Sequence, residues 1–386
     1  MAALADIVIV GGGVIGLSAA YYLALEKARV VLIDRGDFGQ EASWAGAGIL
    51  PPASSRLSSD GFEQLHQVSL AEFPKLSADL LRQTGIDNGY RACGGLEFLA
   101  GAAGGHAGEW SGSGVRAEPL DELATRRREP EVAGGSGPTM FLPDLAQVRN
   151  PWHVRALVES CRLLGVDLKP RCAFLDVKRN GDRIAAVQTT EGDIQASKVL
   201  FASGAWTAEL MRALAFEVPV QPVRGQIALI NTGQRLFRSV LLWGSRYIVP
   251  REDGRVLAGS TEESAGFVKE TTDEAIGSLL EFAYRLVPAL ANHPVEKRWA
   301  GLRPGTLDGK PCIGQIPGWK NAYLAAGHFR AGIQLSPGTG MVCKDLLLDL
   351  RPSVSLESLR PDRFSQMTAA ADFLPGSASG TISDVG

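Results

Sequence analysis

The sequence predicts an α/β fold in two units. One is a parallel sheet wound with helices and assembled from separate stretches of chain; the other is an α+β unit built on an antiparallel sheet. Three observations predict this. The chain has 386 residues, more than the roughly 250–300 at which a single core stops growing. A strand–helix–strand unit opens the chain, and a further strand–helix pair returns near its end. Between them the β/α alternation disappears.

The elements follow in order. Residues 7–10 read Ile-Val-Ile-Val, a short buried strand that runs into Gly11-Gly12-Gly13-Val14-Ile15-Gly16. Residues 17–25 carry apolar residues at helical spacing, and 30–33 form a second apolar strand closing at Asp34. This is a βαβ unit of the ordinary length, about 30 residues. Residues 40–52 read as a loop rich in Ser, Ala and Gly, 69–84 as an amphipathic helix, and the glycine-dense 101–114 as an exposed excursion. A helix is expected over 151–164, with Asn150 as its N-cap and Pro151 in the first turn. Strands at 173–177 and 184–189 flank Asn180-Gly181, a hairpin signal. A strand at 198–202 halts at Gly204. Strands at 224–230, 247–250 and 255–259, and a helix at 272–286, make up the middle. The return consists of a strand at 322–326, a loop at 327–340 and a helix at 341–350. The parallel unit is therefore assigned 1–88, 149–220 and 297–366, the second unit 89–148 and 221–296, and the Ser/Gly/Ala-rich 367–386 a flexible tail.

Bulk properties narrow the function. A net charge of −3 with 21% charged residues makes no case for nucleic acid or an anionic membrane. No apolar run approaches the ~20 residues of a membrane helix. The opening lacks the basic start and long apolar run of a signal peptide, so a cytoplasmic protein is expected. The five cysteines are scattered with no CxxC pair. That disfavours a disulfide framework, a zinc site or a dithiol centre, and no metal site is expected.

Gly11, Gly13 and Gly16 form GxGxxG between a strand and a helix, the mark of a Rossmann-like dinucleotide site. The first glycine permits the turn, the second admits a pyrophosphate, and the third lets helix and strand pack closely. The pyrophosphate would lie at the helix N-terminus, opened by Val14 and Ile15, where free N–H groups favour negative charge. Asp34, with Arg35 beside it, ends the second strand, where a carboxylate accepts bonds from ribose hydroxyls and disfavours NADP. The motif alone does not separate FAD from NAD. The discontinuous layout favours FAD, as does the small-residue stretch Ser43, Trp44, Ala45, Gly46, Ala47 and Gly48, which would let backbone approach a flat ring while Ser43 bonds a phosphate.

These residues resemble the D-amino-acid oxidase superfamily, and within it most closely the bacterial glycine oxidases of thiamine biosynthesis. The resemblance runs from Asp6 to about Phe364. Its sharpest blocks are Trp299-Ala300-Gly301-Leu302-Arg303-Pro304-Gly305-Thr306, and Ala326-Gly327-His328-Phe329-Arg330 followed by Gly332-Ile333. Ala331 departs from the Asn usual there. The resemblance implies that Val177, Ser203, Gly204, Trp206, His328, Arg330, Gly332 and Ile333 contact FAD. Gly301 stands where sarcosine oxidases carry a tethering cysteine, which implies non-covalent FAD.

The resemblance further implies a catalytic set of Arg303, Tyr247 and Arg330. Arg303 would pair the carboxylate of a small amino acid, as a planar guanidinium does, and Tyr247 would add a phenol. Glycine would lose a hydride to flavin N5 and give glyoxylate and ammonia, with oxygen reduced to hydrogen peroxide. A homo-oligomer and a thiazole synthase partner are also implied. D-amino-acid oxidases and dehydrogenases, sarcosine oxidases and a non-enzymatic flavin-binding subunit remain as alternatives.

Overall fold

A computed structural model describes residues 5–99 and 114–366. The expected excursion at 101–114 falls, except for Gly114, outside the described residues, and so does the expected tail.

Among the described residues, two eight-stranded sheets and a small three-stranded one organise the fold. The first sheet runs Phe174–Asn180, Arg183–Thr189, Gly192–Phe201, Ala5–Val10, Val30–Ile33 and Asp167–Lys169; Ala322–Ala326 pairs with Gly192–Phe201 and with Cys312–Gln315. Ala5–Val10 is parallel to both neighbours, with Val8 opposite Val199 and Val31. Because both faces are covered, the strand is apolar at successive positions. Ile7 and Ile9 pack with Leu17, Leu65, Leu157 and Leu335 from four helices. Val8 and Val10 pack on the other side with Phe201, Met211 and Trp319.

The second sheet runs Val295–Gly305, Gln221–Asn231, Arg255–Gly259, Arg246–Pro250, Val240–Trp243, Gly95–Phe98, Thr139–Leu142 and Glu118–Leu120. Its pairs are antiparallel except Val240–Trp243 with Gly95–Phe98. Helix Asp273–Leu286 covers one face through Phe282, Ala283 and Leu286. Thr272 caps that helix by accepting from the Ala275 N–H.

Several expectations are corrected. Val295–Gly305 pairs with Gln221–Asn231 from Gly305 opposite Gln221 to Val295 opposite Ile230. Residues 297–305 thus belong to the second sheet, not to the parallel one. Residues 40–52 include a helical turn, Ala42–Ala45, and a short strand, Ile49–Leu50. The helix expected from 69 starts at Gly61, where Asp60 accepts from the N–H groups of Phe62 and Glu63. Asn150 lies inside its helix, Asn150–Leu163, rather than capping it. The helix expected over 341–350 spans Gly332–Leu347 and includes Pro337. Its glycines reflect crowding: a Cβ at Gly338 would lie 2.4 Å from Ser69 Oγ, and one at Gly340 2.8 Å from the Ser18 backbone.

Among the described residues no helix is long and apolar enough to cross a membrane, and no group of His, Cys, Asp and Glu could hold a metal ion.

Candidate functional site

A cavity of about 760 Å³ lies where both large sheets contribute residues. On the parallel-sheet side it begins at the N-terminus of helix Val14–Leu25. Gly13, the N-cap, is extended and offers no side-chain cap, so the opening N–H groups beyond that of Val14 are available to an anion. Gly11 has φ +113°, a region L side chains rarely enter, and a Cβ there would lie 2.4 Å from the Ala202 carbonyl oxygen. A Cβ at Gly16 would lie 1.9 Å from the Gly11 carbonyl oxygen. These two glycines let helix and strand approach, while Gly13, Val14 and Ile15 face the cavity. Ser43 Oγ accepts from the Val14 N–H at 2.9 Å, which puts a hydroxyl at the same helix end.

Asp34 accepts from the N–H groups of Gly12 (2.7 Å) and Gly36 (2.8 Å). Burial pushes its carboxyl up, and the two N–H groups pull it back. The side chain thus shapes the turn, and each oxygen keeps a lone pair for a hydroxyl.

The small-residue stretch forms the next wall through Ser43, Gly46, Ala47 and Gly48. It is held from three directions. Trp299 Nε1 donates to the Ala45 carbonyl at 2.9 Å. Asn150 Nδ2 donates to the Ser43 carbonyl at 3.0 Å. The buried guanidinium of Arg251 donates to the carbonyls of Ala47 (2.7 Å) and Val148 (3.0 Å) and to Gln147 Oε1 (2.6 Å). Burial pushes Arg251 down to about 10, so it remains charged at neutral pH. A Cβ at Gly48 would meet Val148 O at 2.0 Å, so nothing larger fits here.

The second sheet supplies side chains. Arg303 donates to Ser260 Oγ (2.6 Å) and the Thr261 carbonyl (3.1 Å), and is hydrogen-bonded to Tyr247. Burial lowers its affinity for the proton, while Tyr247 and Glu263 favour the charged form. Room for the guanidinium comes from Gly225, where a Cβ would fall 2.3 Å from it; the Tyr247 ring lies over Gly259, 2.6 Å from a Cβ there. Tyr247 and Gly259 are direct cross-strand partners.

The C-terminal return closes the cavity with His328, Arg330, Gly332 and Ile333. His328 Nε2 is hydrogen-bonded to Thr339 Oγ1 at 3.0 Å, and burial pushes the imidazole down to about 3. It is therefore a neutral structural histidine. Arg330 is ion-paired with Glu262.

The structure thus gathers Gly13, Val14, Ile15, Ser43, Ala47, Gly48, Gly204, Tyr247, Arg303, His328, Arg330, Gly332 and Ile333 around one cavity. Other sequence candidates do not line it. The Trp44 indole packs edge-on to Trp299, with ring centroids 5.3 Å apart. Ala45 serves through its carbonyl. The Val177 N–H donates to Asp176 Oδ1 at 2.8 Å, so it is engaged within its own strand. Ser203 Oγ lies 3.2 Å from Thr207 Oγ1. Arg35 lies 3.7 Å over the Trp206 ring.

Sequence reasoning missed Gly225, Gly259, Asn150, Arg251 and His66. The first two carried a signal, since glycine inside a strand marks a close approach. His66 lines the cavity with a buried Nε2 that has no hydrogen-bond partner among the described residues. Burial pushes it down to about 4. As a lone histidine on an amphipathic helix it carried no pattern.

A helix N-terminus open beyond Val14, a wall of small residues and a guanidinium without a carboxylate partner suit a dinucleotide with a flat ring and an anionic substrate beside it. Comparison with known proteins agrees. The DAO family of FAD-dependent oxidoreductases matches residues 6–346. The chain belongs to this family. It is 38% identical to a glycine oxidase of Pseudomonas aeruginosa over 90% of this chain and 96% of that one. It is 34% identical to a bifunctional ThiO/ThiG protein of Synechocystis over 95% of this chain, but 55% of that longer one. The crystal structure of glycine oxidase from Geobacillus kaustophilus superposes with a TM-score of 0.87 at 30% identity, covering 93% of this chain and 98% of that one. The protein is therefore an FAD-dependent oxidoreductase, and the residues of the cavity fit that cofactor. None of the five cysteines lines the cavity.

Proposed function

We propose that this oxidoreductase deaminates glycine: glycine, oxygen and water give glyoxylate, ammonia and hydrogen peroxide. The observation that carries the reading is the state of Arg303. It lies at the wall of the cofactor cavity, and its hydrogen-bond partners, Ser260, Thr261 and Tyr247, are all uncharged acceptors. Among the described residues no carboxylate forms an ion pair with it. A half-buried guanidinium without an anion is poised for one, and an amino-acid carboxylate pairs it through two parallel hydrogen bonds.

Bound FAD supplies a two-electron acceptor for hydride. The chain's residues supply position. Arg303 and Tyr247 hold the carboxylate, so the α-carbon is presented to the wall formed by Ala47 and Gly48. Positioning of this kind lowers barriers by up to about 7–11 kcal/mol in favourable cases. His328, bonded to Thr339 and with its proton affinity lowered by burial, is a weak base, which supports a reaction without a protein base. Similarity to glycine oxidases supports glycine as donor and oxygen as acceptor. The bifunctional ThiO/ThiG relative supports a thiazole synthase partner that takes up the product.

The test is a panel of glycine, sarcosine and D-alanine on the purified holoenzyme, following flavin bleaching without oxygen and peroxide release with it. Glycine should bleach the flavin and yield peroxide. Absence of bleaching by every amino acid would sink the reading.

A further inference from the structure

Among the described residues three arginines line the cavity, Arg246, Arg303 and Arg330; Arg246 turns its guanidinium to Ser278 O and Oγ on helix Asp273–Leu286, and a four-residue segment, 260–263, treats the other two differently. Ser260 Oγ and the Thr261 carbonyl hold Arg303 with neutral acceptors. The next residue, Glu262, places a carboxylate on Arg330. Glu263 then pairs with Arg224 and accepts from Gln226 Nε2 at 2.8 Å. The segment is fixed at its end, because the backbones of Arg224 and Glu263 exchange two N–H···O bonds of 2.9 Å each. Glu262 is therefore carried on anchored chain. Its ion pair is half-exposed on the arginine side, so it adds little to stability. Its effect is on charge.

We propose that Glu262 determines substrate specificity: by neutralising Arg330 it leaves the cavity one open guanidinium, so that the site accepts amino acids with a single carboxylate and rejects those with two. This rests on the amino-acid oxidase reading. A second carboxylate on the substrate would find Arg330 already paired and would face the negative charge of Glu262. With that charge removed, both arginines become available, since each guanidinium pairs one carboxylate. Tyr247 lies within electrostatic reach of both arginines, and all three line the same cavity.

The experiment compares kcat/KM for glycine and for iminodiacetate, which is glycine bearing a second carboxylate, in the wild-type holoenzyme and in Glu262→Gln. The expected result is at least a tenfold rise in the iminodiacetate-to-glycine ratio, reversed in the double variant Glu262→Gln/Arg330→Gln. An unchanged ratio in a variant that still turns over glycine overturns this inference alone. Failure of the wild type to oxidise either compound overturns the amino-acid reading, and this inference with it. A measurement on the wild type covers the case of a variant that does not fold. Malonate should compete with glycine no more tightly than acetate does; malonate binding tenfold tighter than acetate overturns the proposal.

Discussion

The two walls of the cavity are made from different material. The parallel-sheet wall offers backbone: helix-end N–H groups, glycines and alanines, with side chains such as Ser43 and Asp34 serving the turn itself. The second-sheet wall offers side chains, Arg303 and Tyr247, each laid over a glycine of a neighbouring strand. A backbone wall recognises what every FAD molecule shares. A side-chain wall recognises what distinguishes one substrate from another. Substitutions should therefore separate cofactor loss from substrate loss according to the wall they strike.

The largest effect is expected at Gly11. Gly11→Val would place branched carbon against the Ala202 carbonyl at an unfavourable φ, and the protein should purify without yellow flavin, as read from the visible spectrum. Retention of full flavin would break the contrast. Arg303→Leu comes next. Losing one partner of a buried charge pair costs about 2–5 kcal/mol, so kcat/KM on glycine should fall roughly a hundredfold or more with flavin content intact. Colour lost together with activity would make Arg303 structural.

Arg251→Met strikes the support beneath the backbone wall. Its acceptors on Ala47, Val148 and Gln147 would be left unpaired in the interior, at about 1–3 kcal/mol for a buried unsatisfied group. The melting temperature and FAD affinity should fall together, while KM for glycine in the loaded enzyme moves little. Gly225→Ala is the finer probe of the other wall. Its methyl group would press on the guanidinium, and KM should rise about tenfold with flavin retained, measured by steady-state kinetics.

The last effect concerns pH, and it reads stability rather than either wall. His153 and His328 are buried, His66 is half-buried, and His66, His153 and His328 are all held below the ordinary 6.5, at about 4, 4 and 3. The unfolded chain binds their protons first, so stability is full above about pH 6.5 and falls as pH drops toward 4. Each histidine contributes about 1.4 kcal/mol per pH unit within that window. His153→Leu should make the decline shallower by one such share in urea titrations at pH 7 and pH 5.

Legibility from sequence follows the same division. GxGxxG and the strand ending at Asp34 were readable because backbone sites require glycine at set spacing along one continuous stretch. Arg303 and Tyr247 were found through resemblance; composition alone would have left them as strand residues. Gly225 and Gly259 stood inside predicted strands, but what they make room for depends on cross-strand register, which a linear reading does not contain. The helix Gly332–Leu347 was mistaken for a loop over its first half because Pro337, Gly338 and Gly340 oppose helix formation locally. Their reason is the neighbouring helices. Trp44 and Val177 were assigned to the cofactor by position; the Trp44 indole packs on Trp299, remote in sequence, and the Val177 amide bonds its own neighbour Asp176.

The grip on the stretch from Ser43 to Gly48 has a consequence for how the molecule comes apart. Its carbonyls are tied to Asn150, Arg251 and Trp299, which are remote in sequence and lie in three different parts of the chain. No single segment can peel away and open the cofactor site by itself. Release of the coenzyme on heating should therefore coincide with global melting, so that the temperature at which flavin fluorescence appears doubles as a gauge of cooperative unfolding.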